Sequence, residues 1–189
     1  MSRAYRIRVK ESIHQDLSAS DEICSDLEIL EILPGEQMSE LLTKELENRG
    51  FVEQDGKLVR TQDGVTVSVD PKCGEVTVKA ERGEKVELET EKEGWGYDDV
   101  GPRANQVRKQ LKDQAKTELE RRAQGQQERL QGEATEKLEG ALADVRKELN
   151  DAVNAVTREA LKRKAAQMGE IKEMSEDPEA GSLTIKVEV

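Results

Sequence analysis

The chain opens with an alternation of period two. Tyr5, Ile7 and Val9 are separated by Arg6, Arg8 and Lys10, the pattern of a half-buried strand. The polar stretch "HQDLSASDE" that follows predicts a loop. "SDLEILEIL" predicts a second strand, although its apolar spacing also permits a helix. Pro34 then opens a helix with Met38, Leu41, Leu42 and Leu46 on one face, and Gly50 stands just past its end.

A run of strands comes next. "GKLVRTQDGVTVSV" reads as a hairpin turning at Asp63-Gly64, the strongest short-range turn dipeptide. Val65, Val67 and Val69 face one way, Thr66 and Ser68 the other. "DPKCG" turns the chain into a strand of Val76, Val78 and Ala80, and "ERGEK" predicts a further turn into Val86 and Leu88. Residues 1 to about 92 therefore predict an antiparallel meandering sheet with one packed helix, an α+β arrangement.

"EGWGYDDVGP" is the junction, and from Arg103 the pattern is helical for over sixty residues. Leu138, Leu142, Val145, Leu149, Val153, Val156 and Ala160 recur at intervals of four and three that sum to an eleven-residue period. Such a period favours nearly straight or slightly right-handed packing over a left-handed heptad coil. The earlier half carries Val107, Leu111, Ala115 and Leu119, then weakens through "RRAQGQQERLQGEA", where Gly125 and Gly132 sit. Each glycine costs a helix interior about 1 kcal/mol relative to Ala.

"DPEAGSLTIKVE" at the end of the chain repeats "DPKCGEVTVKAE", which begins at Asp70. Leu183, Ile185 and Val187 alternate with Thr184, Lys186 and Glu188, so this strand has an apolar face to bury. An isolated hairpin is marginal in water, and the expectation is that the strand returns to a sheet. An unbroken helix would run about 100 Å and leave that strand far from the first sheet. Two arrangements satisfy it. The helix folds back around Gly125–Gly132 as an antiparallel hairpin, the preferred reading, or it stays continuous in an antiparallel homodimer whose strands complete each other's sheets. The expected organisation is an α+β head of residues 1–100 with 170–189, and a helical hairpin or coiled-coil-like stalk over 101–169. The duplicated text is either a true duplication or convergence on a common turn and strand.

Composition narrows the function. Of 189 residues, 34% are hydrophobic, 2% aromatic and 38% charged, too little apolar material for one compact globule of this length. The net charge of −11 argues against a general affinity for nucleic acid or anionic membrane. Arg103–Gly169 holds 15 Lys/Arg against 11 Asp/Glu, so the acid is concentrated outside the helical stretch. The opening "MSRAYRIRVKES" lacks an apolar signal core, no stretch approaches about 20 apolar residues, and the two cysteines have no ligand-like spacing. A soluble, cytoplasmic protein with reduced thiols is expected.

No residue pattern carries a catalytic, cofactor-binding or metal-binding assignment. His14 is the only histidine and has no second His or Cys nearby in sequence, so a metal site or triad lacks its parts. Cys24 and Cys73 lie in acidic surroundings, unlike reactive thiols. "ELETEKE", "YDD" and "MSEDPE" are carboxylate clusters of the kind 41 acidic residues produce by chance. "REALKRKAAQ" is a basic helix face without interleaved aromatics. Trp95 and Tyr97 read as packing at the junction, with an exposed Trp as a candidate contact anchor.

"LEILEILPGEQMSELLTKELENRGF", "GYDDVGPRANQVRKQLK" and "EALKRKAAQMGEIKEMSEDPEAGSLTIKVEV" together resemble a small accessory protein of the bacterial FtsH ternary systems. These systems pair an FtsH- or MoxR-like AAA+ ATPase with a von Willebrand factor A protein and several small partners in biological conflict. The resemblance implies a role in an ATPase-linked assembly and carries over no functional residues. The expectation is a non-enzymatic interaction module with protein partners, among them the AAA+ ATPase and the von Willebrand factor A protein. The alternatives are a chaperone-like holdase and a carboxylate- or metal-dependent hydrolase.

Overall fold

The computed structural model describes residues 5–96, 102–177 and 182–188. The elements in chain order are β1 (Tyr5–Asp26), α1 (Gly35–Asn48), β2 (Val52–Gln54), β3 (Lys57–Gln62), β4 (Val65–Val69), β5 (Glu75–Gly96), α2 (Pro102–Met168), β6 (Glu170–Asp177) and β7 (Ser182–Glu188). Five strands form one antiparallel sheet in the order β1-β5-β4-β3-β2, and β6 pairs with β7 in a separate two-stranded sheet. The α+β class expected from the patterning is the class observed. Among the described residues, no helix is long and apolar enough to cross a membrane. The chain divides into two compact units, and β1, β5 and α2 contribute residues to both.

The first unit takes the early part of β1, the later part of β5 and α2 as far as Glu136. Ile7 is buried with Ala104 and Leu111, and Leu17 and Ala19 with Leu130, so one face of the strands lies on the helix. The packing is close at Gly94, where a Cβ would stand 3.1 Å from the Leu111 side chain. The wet face is laced across the strands: Arg6 pairs with Glu93, Arg8 with Glu91 and Glu93, and His14 approaches Glu87 at 3.6 Å. Exposed pairs of this kind stabilise by only a few tenths of a kcal/mol each, but they favour one register. This pairing extends both strands through text that reads locally as loop and turn. "HQDLSASDE" lies within β1 and "ERGEK" within β5, which corrects both expectations.

The expected helical hairpin is also corrected. α2 is a single helix of 67 residues that runs through Gly125 and Gly132 without a break. The local cost of two glycines is offset by what their neighbours bury and bond. Ala123, Leu130 and Ala134 are buried, Gln127 donates to the Ser18 carbonyl at 2.6 Å, and Gln131 donates to the Ser20 carbonyl at 3.1 Å. Thr135 adds a hydrogen bond to Asp21 at 2.7 Å. α2 therefore packs here on strands, where the sequence suggested a second helical arm.

In the second unit, Met38, Leu41, Leu42 and Leu46 of α1 are buried in one core with Leu58, Val65, Val67, Val69, Val76, Val78 and Ala80 of the sheet. From α2, Leu138, Val145, Leu149, Ala152, Val156 and Ala160 join the same core. α1 starts after Pro34 and stops before Gly50, whose φ is +85°. The β3–β4 turn places Asp63 and Gly64 at φ +52° and +71°, as a two-residue type I′ turn requires. Asp55 and Gly56 repeat this between β2 and β3. The Asp70 turn also forms: Gly74 N–H donates to the Asp70 carbonyl at 2.8 Å, and Lys72 N–H to its carboxylate at 2.9 Å. "LEILEIL" forms neither strand nor helix. It is an irregular segment tied by Leu27 N–H to the Gly74 carbonyl at 2.8 Å, with Leu27, Ile29 and Ile32 half-buried against the core.

The last strand does not return to the five-stranded sheet. β7 pairs antiparallel with β6, with Ile171 opposite Val187, Met174 opposite Ile185 and an irregularity between Ile171 and Glu173. Sequence-adjacent pairing across residues 178–181 carries a far smaller loop-closure cost than a return over a hundred residues. The "DPEAG" turn itself lies outside the described residues, apart from Asp177 at the end of β6. Gly169 is obligatory at the helix-to-strand corner, since a Cβ would come within 2.1 Å of the Glu188 carbonyl oxygen.

Candidate functional site

A recess in the second unit lies between the β3–β4 hairpin and one stripe of α2. Lys137, Gly140, Ala141, Asp144, Val145 and Glu148 recur at i, i+3, i+4, i+7, i+8 and i+11 and so share a helix face. Opposite them stand Arg60, Gln62, Asp63, Val65 and Val67. The apolar recurrence of α2 is carried here by Leu138, Leu142 and Val145; beside it Gly140 and Ala141 are small, and a Cβ on Gly140 would meet nothing within 4 Å. The result is a groove of about 310 Å³ with Val65, Val67, Ala141 and Val145 as an apolar floor. Charges of both signs make its rim.

One end of the groove is fixed by Arg60. Its guanidinium makes a two-pronged contact with Glu148 at 2.6 and 2.5 Å, and donates to the Arg49 carbonyl at 3.1 Å. The same group lies 4.6 Å from the centre of the buried Phe51 ring, within cation–π range. Arg49, at the C-terminal end of α1, bonds Glu45 at 2.8 Å and reaches the Glu148 carbonyl at 3.4 Å. α1, β3 and α2 are thus joined by one planar, charge-assisted contact. Hydrogen bonding to Arg60, against the opposing effect of partial burial, holds the Glu148 carboxyl below the usual carboxylate range. Glu148 in turn raises the Arg60 guanidinium above its ordinary value. Both groups stay charged at neutral pH, so the pair acts as a structural clamp.

The residues considered for chemistry are dispersed. His14 is exposed on β1 beside Glu87. Cys24 is an exposed free thiol inside β1, 3.7 Å from the Thr77 hydroxyl, and Cys73 is an exposed free thiol in the turn before β5. The "ELETEKE" acids spread along β5: Glu91 and Glu93 pair with arginines of β1, and Lys92 pairs with Glu118 of α2. Trp95 is 69% exposed, as a contact anchor would be, whereas Tyr97 and the "YDD" acids lie outside the described residues. Among the described residues no three His, Cys, Asp or Glu side chains gather in a way that could hold a metal ion. Sequence reasoning did not find the groove, because its two walls are about eighty residues apart. Gly140, a small residue beside the apolar stripe of α2, was the one local signal.

Fold and groove together define an α+β protein whose second unit carries a recess with an apolar floor and a charged rim, roomy enough for a side chain from elsewhere. The chain belongs to the FtsH ternary system domain X5 family, whose model matches residues 1–189. The resemblance carried by three segments of the sequence therefore holds over the whole chain, and the protein is a component of an FtsH ternary system. No curated protein and no solved structure matches it.

Proposed function

We propose that this chain is a non-catalytic interaction subunit of its ternary system, and that the groove between the β3–β4 hairpin and α2 receives an apolar side chain of a partner protein. The partners proposed are the AAA+ ATPase and the von Willebrand factor A protein of such a system. The observation that carries the reading is the combination of an open apolar floor with a rigid frame: Val65, Val67 and Val145 are buried residues of the core that also line the groove, and the Arg60–Glu148 clamp fixes one end. A pre-formed recess of this kind lowers the ordering cost of binding. The charged rim then sets orientation and discriminates among partners more than it adds affinity.

The test is native capture after co-expression with an AAA+ ATPase and a von Willebrand factor A protein of an FtsH ternary system. Gly140→Phe fills the groove from a helix position with free space around its Cβ, and it removes a helix-interior glycine. The wild-type chain is expected to retain a partner. The variant is expected to lose that partner while its thermal unfolding stays the same or rises. Equal retention by both chains, or no partner for the wild type, contradicts the proposal.

A further inference from the structure

The β6–β7 hairpin has two faces of opposite character. Residues paired across an antiparallel ladder point the same way, so Ile171 with Val187 and Met174 with Ile185 share a face, and Leu183 joins them by alternation along β7. Nothing in β7, nor in β6 as far as Ser175, is fully buried: Met174 is 50% exposed, and the β7 apolar side chains are only half-covered. A two-stranded hairpin whose apolar face is only half-covered, with Ile171 and Met174 exposed, is marginal in water. Next to its root, α2 ends with a second uncovered stripe: Leu161, Lys164 and Met168 are three and four residues apart, and Met168 is 59% exposed.

The two surfaces are opposite in charge. Residues 158–168 of α2 hold four Lys/Arg and one acid, whereas residues 170–189 hold six acids and two lysines. The hairpin leaves the helix end at Gly169 without covering the Leu161–Met168 stripe. A second copy of the chain offers both missing surfaces at once.

We infer that the protein forms a symmetric homodimer in which the apolar face of each β6–β7 hairpin covers the Leu161–Lys164–Met168 stripe of the partner's helix end. A two-fold arrangement makes both contacts together, each acidic hairpin meeting a basic helix end. Leu161, Met168, Ile171 and Met174 of each copy are the exposed apolar side chains that the two contacts bring together, a small interface whose association falls at the weak end of specific dimers. Complementary charge then favours this pairing over hairpin against hairpin, which would bring two acidic segments together.

The experiment is sedimentation equilibrium of the full chain at micromolar concentration, in low and in high salt. A mass near twice 21.2 kDa is expected, with weaker association in high salt. Ile185→Asp, on the hairpin, and Lys164→Glu, on the exposed helix stripe, are each expected to weaken the dimer by roughly tenfold or more. Far-ultraviolet circular dichroism of Lys164→Glu should match the wild type, so a folding defect cannot account for the loss. Gly140→Phe should leave the dimer intact, which separates this inference from the groove proposal. A monomeric wild type, or a dimer indifferent to both hairpin and helix variants, overturns the inference.

Discussion

Replacing Gly125 and Gly132 together by alanine tests why α2 is unbroken. Both lie in a helix interior, neither has the positive φ that a turn glycine adopts, and a Cβ at either position meets nothing within 4 Å. The substitution therefore carries no steric cost and removes the backbone-entropy penalty of two helical glycines, about 1 kcal/mol each. The expected gain is about 2 kcal/mol in urea unfolding, or roughly 4–8 °C in Tm for a chain of this size. Circular dichroism at 222 nm follows the transition directly. If the chain turned back at these glycines, alanine would force a strained turn and stability would fall. Destabilisation of 1 kcal/mol or more would refute the reasoning.

Other outcomes follow from the same geometry. Leu42→Ala removes a fully buried side chain of α1 and should cost about 2–5 kcal/mol in chemical denaturation. Glu148→Gln leaves Arg60 without its ionised partner and should cost about 1–3 kcal/mol at neutral pH. Because the folded-state pKa of Glu148 is lowered, that advantage of the wild type is complete above the ordinary carboxylate range and disappears as pH falls towards the lowered value. Stability curves of wild type and variant should therefore converge in acid; a constant gap down to the acid limit would contradict the clamp. Spin labels at positions 116 and 136, with Cys24 and Cys73 replaced by Ser, should report a backbone separation of about 30 Å along one helix. A fold-back at Gly125–Gly132 would bring them within about 15 Å, side by side across a helix pair.

Much of the second unit was legible because its signals are local. Pro34, the Met38–Leu46 stripe and Gly50 mark α1; Asp63-Gly64 marks the β3–β4 turn; alternating valines mark β4 and the start of β5. Asp55-Gly56 is the same turn dipeptide, and reading it would have located β2. The misread segments share a different cause. "HQDLSASDE" and "ERGEK" have polar, turn-like composition, yet β1 and β5 hold each other extended through them, and Leu17, Ala19 and Val86 pack with Leu130 of α2. Long-range pairing overrides local preference there. The glycines of α2 were misjudged for the same reason, since the strand carbonyls that receive Gln127 and Gln131 lie over a hundred residues away in sequence. The groove was illegible because it is a missing volume, set by Gly140 and Ala141 against a hairpin distant in sequence.

Hydrogen–deuterium exchange of the chain alone, and with each proposed partner, the ATPase and the von Willebrand factor A protein, added in excess, tests the central claim most directly. Binding in the groove predicts slower exchange over residues 60–67 and 137–148, with Gly140→Phe abolishing that protection. Unchanged exchange in those two segments, with protection arising elsewhere in the chain, would contradict the account.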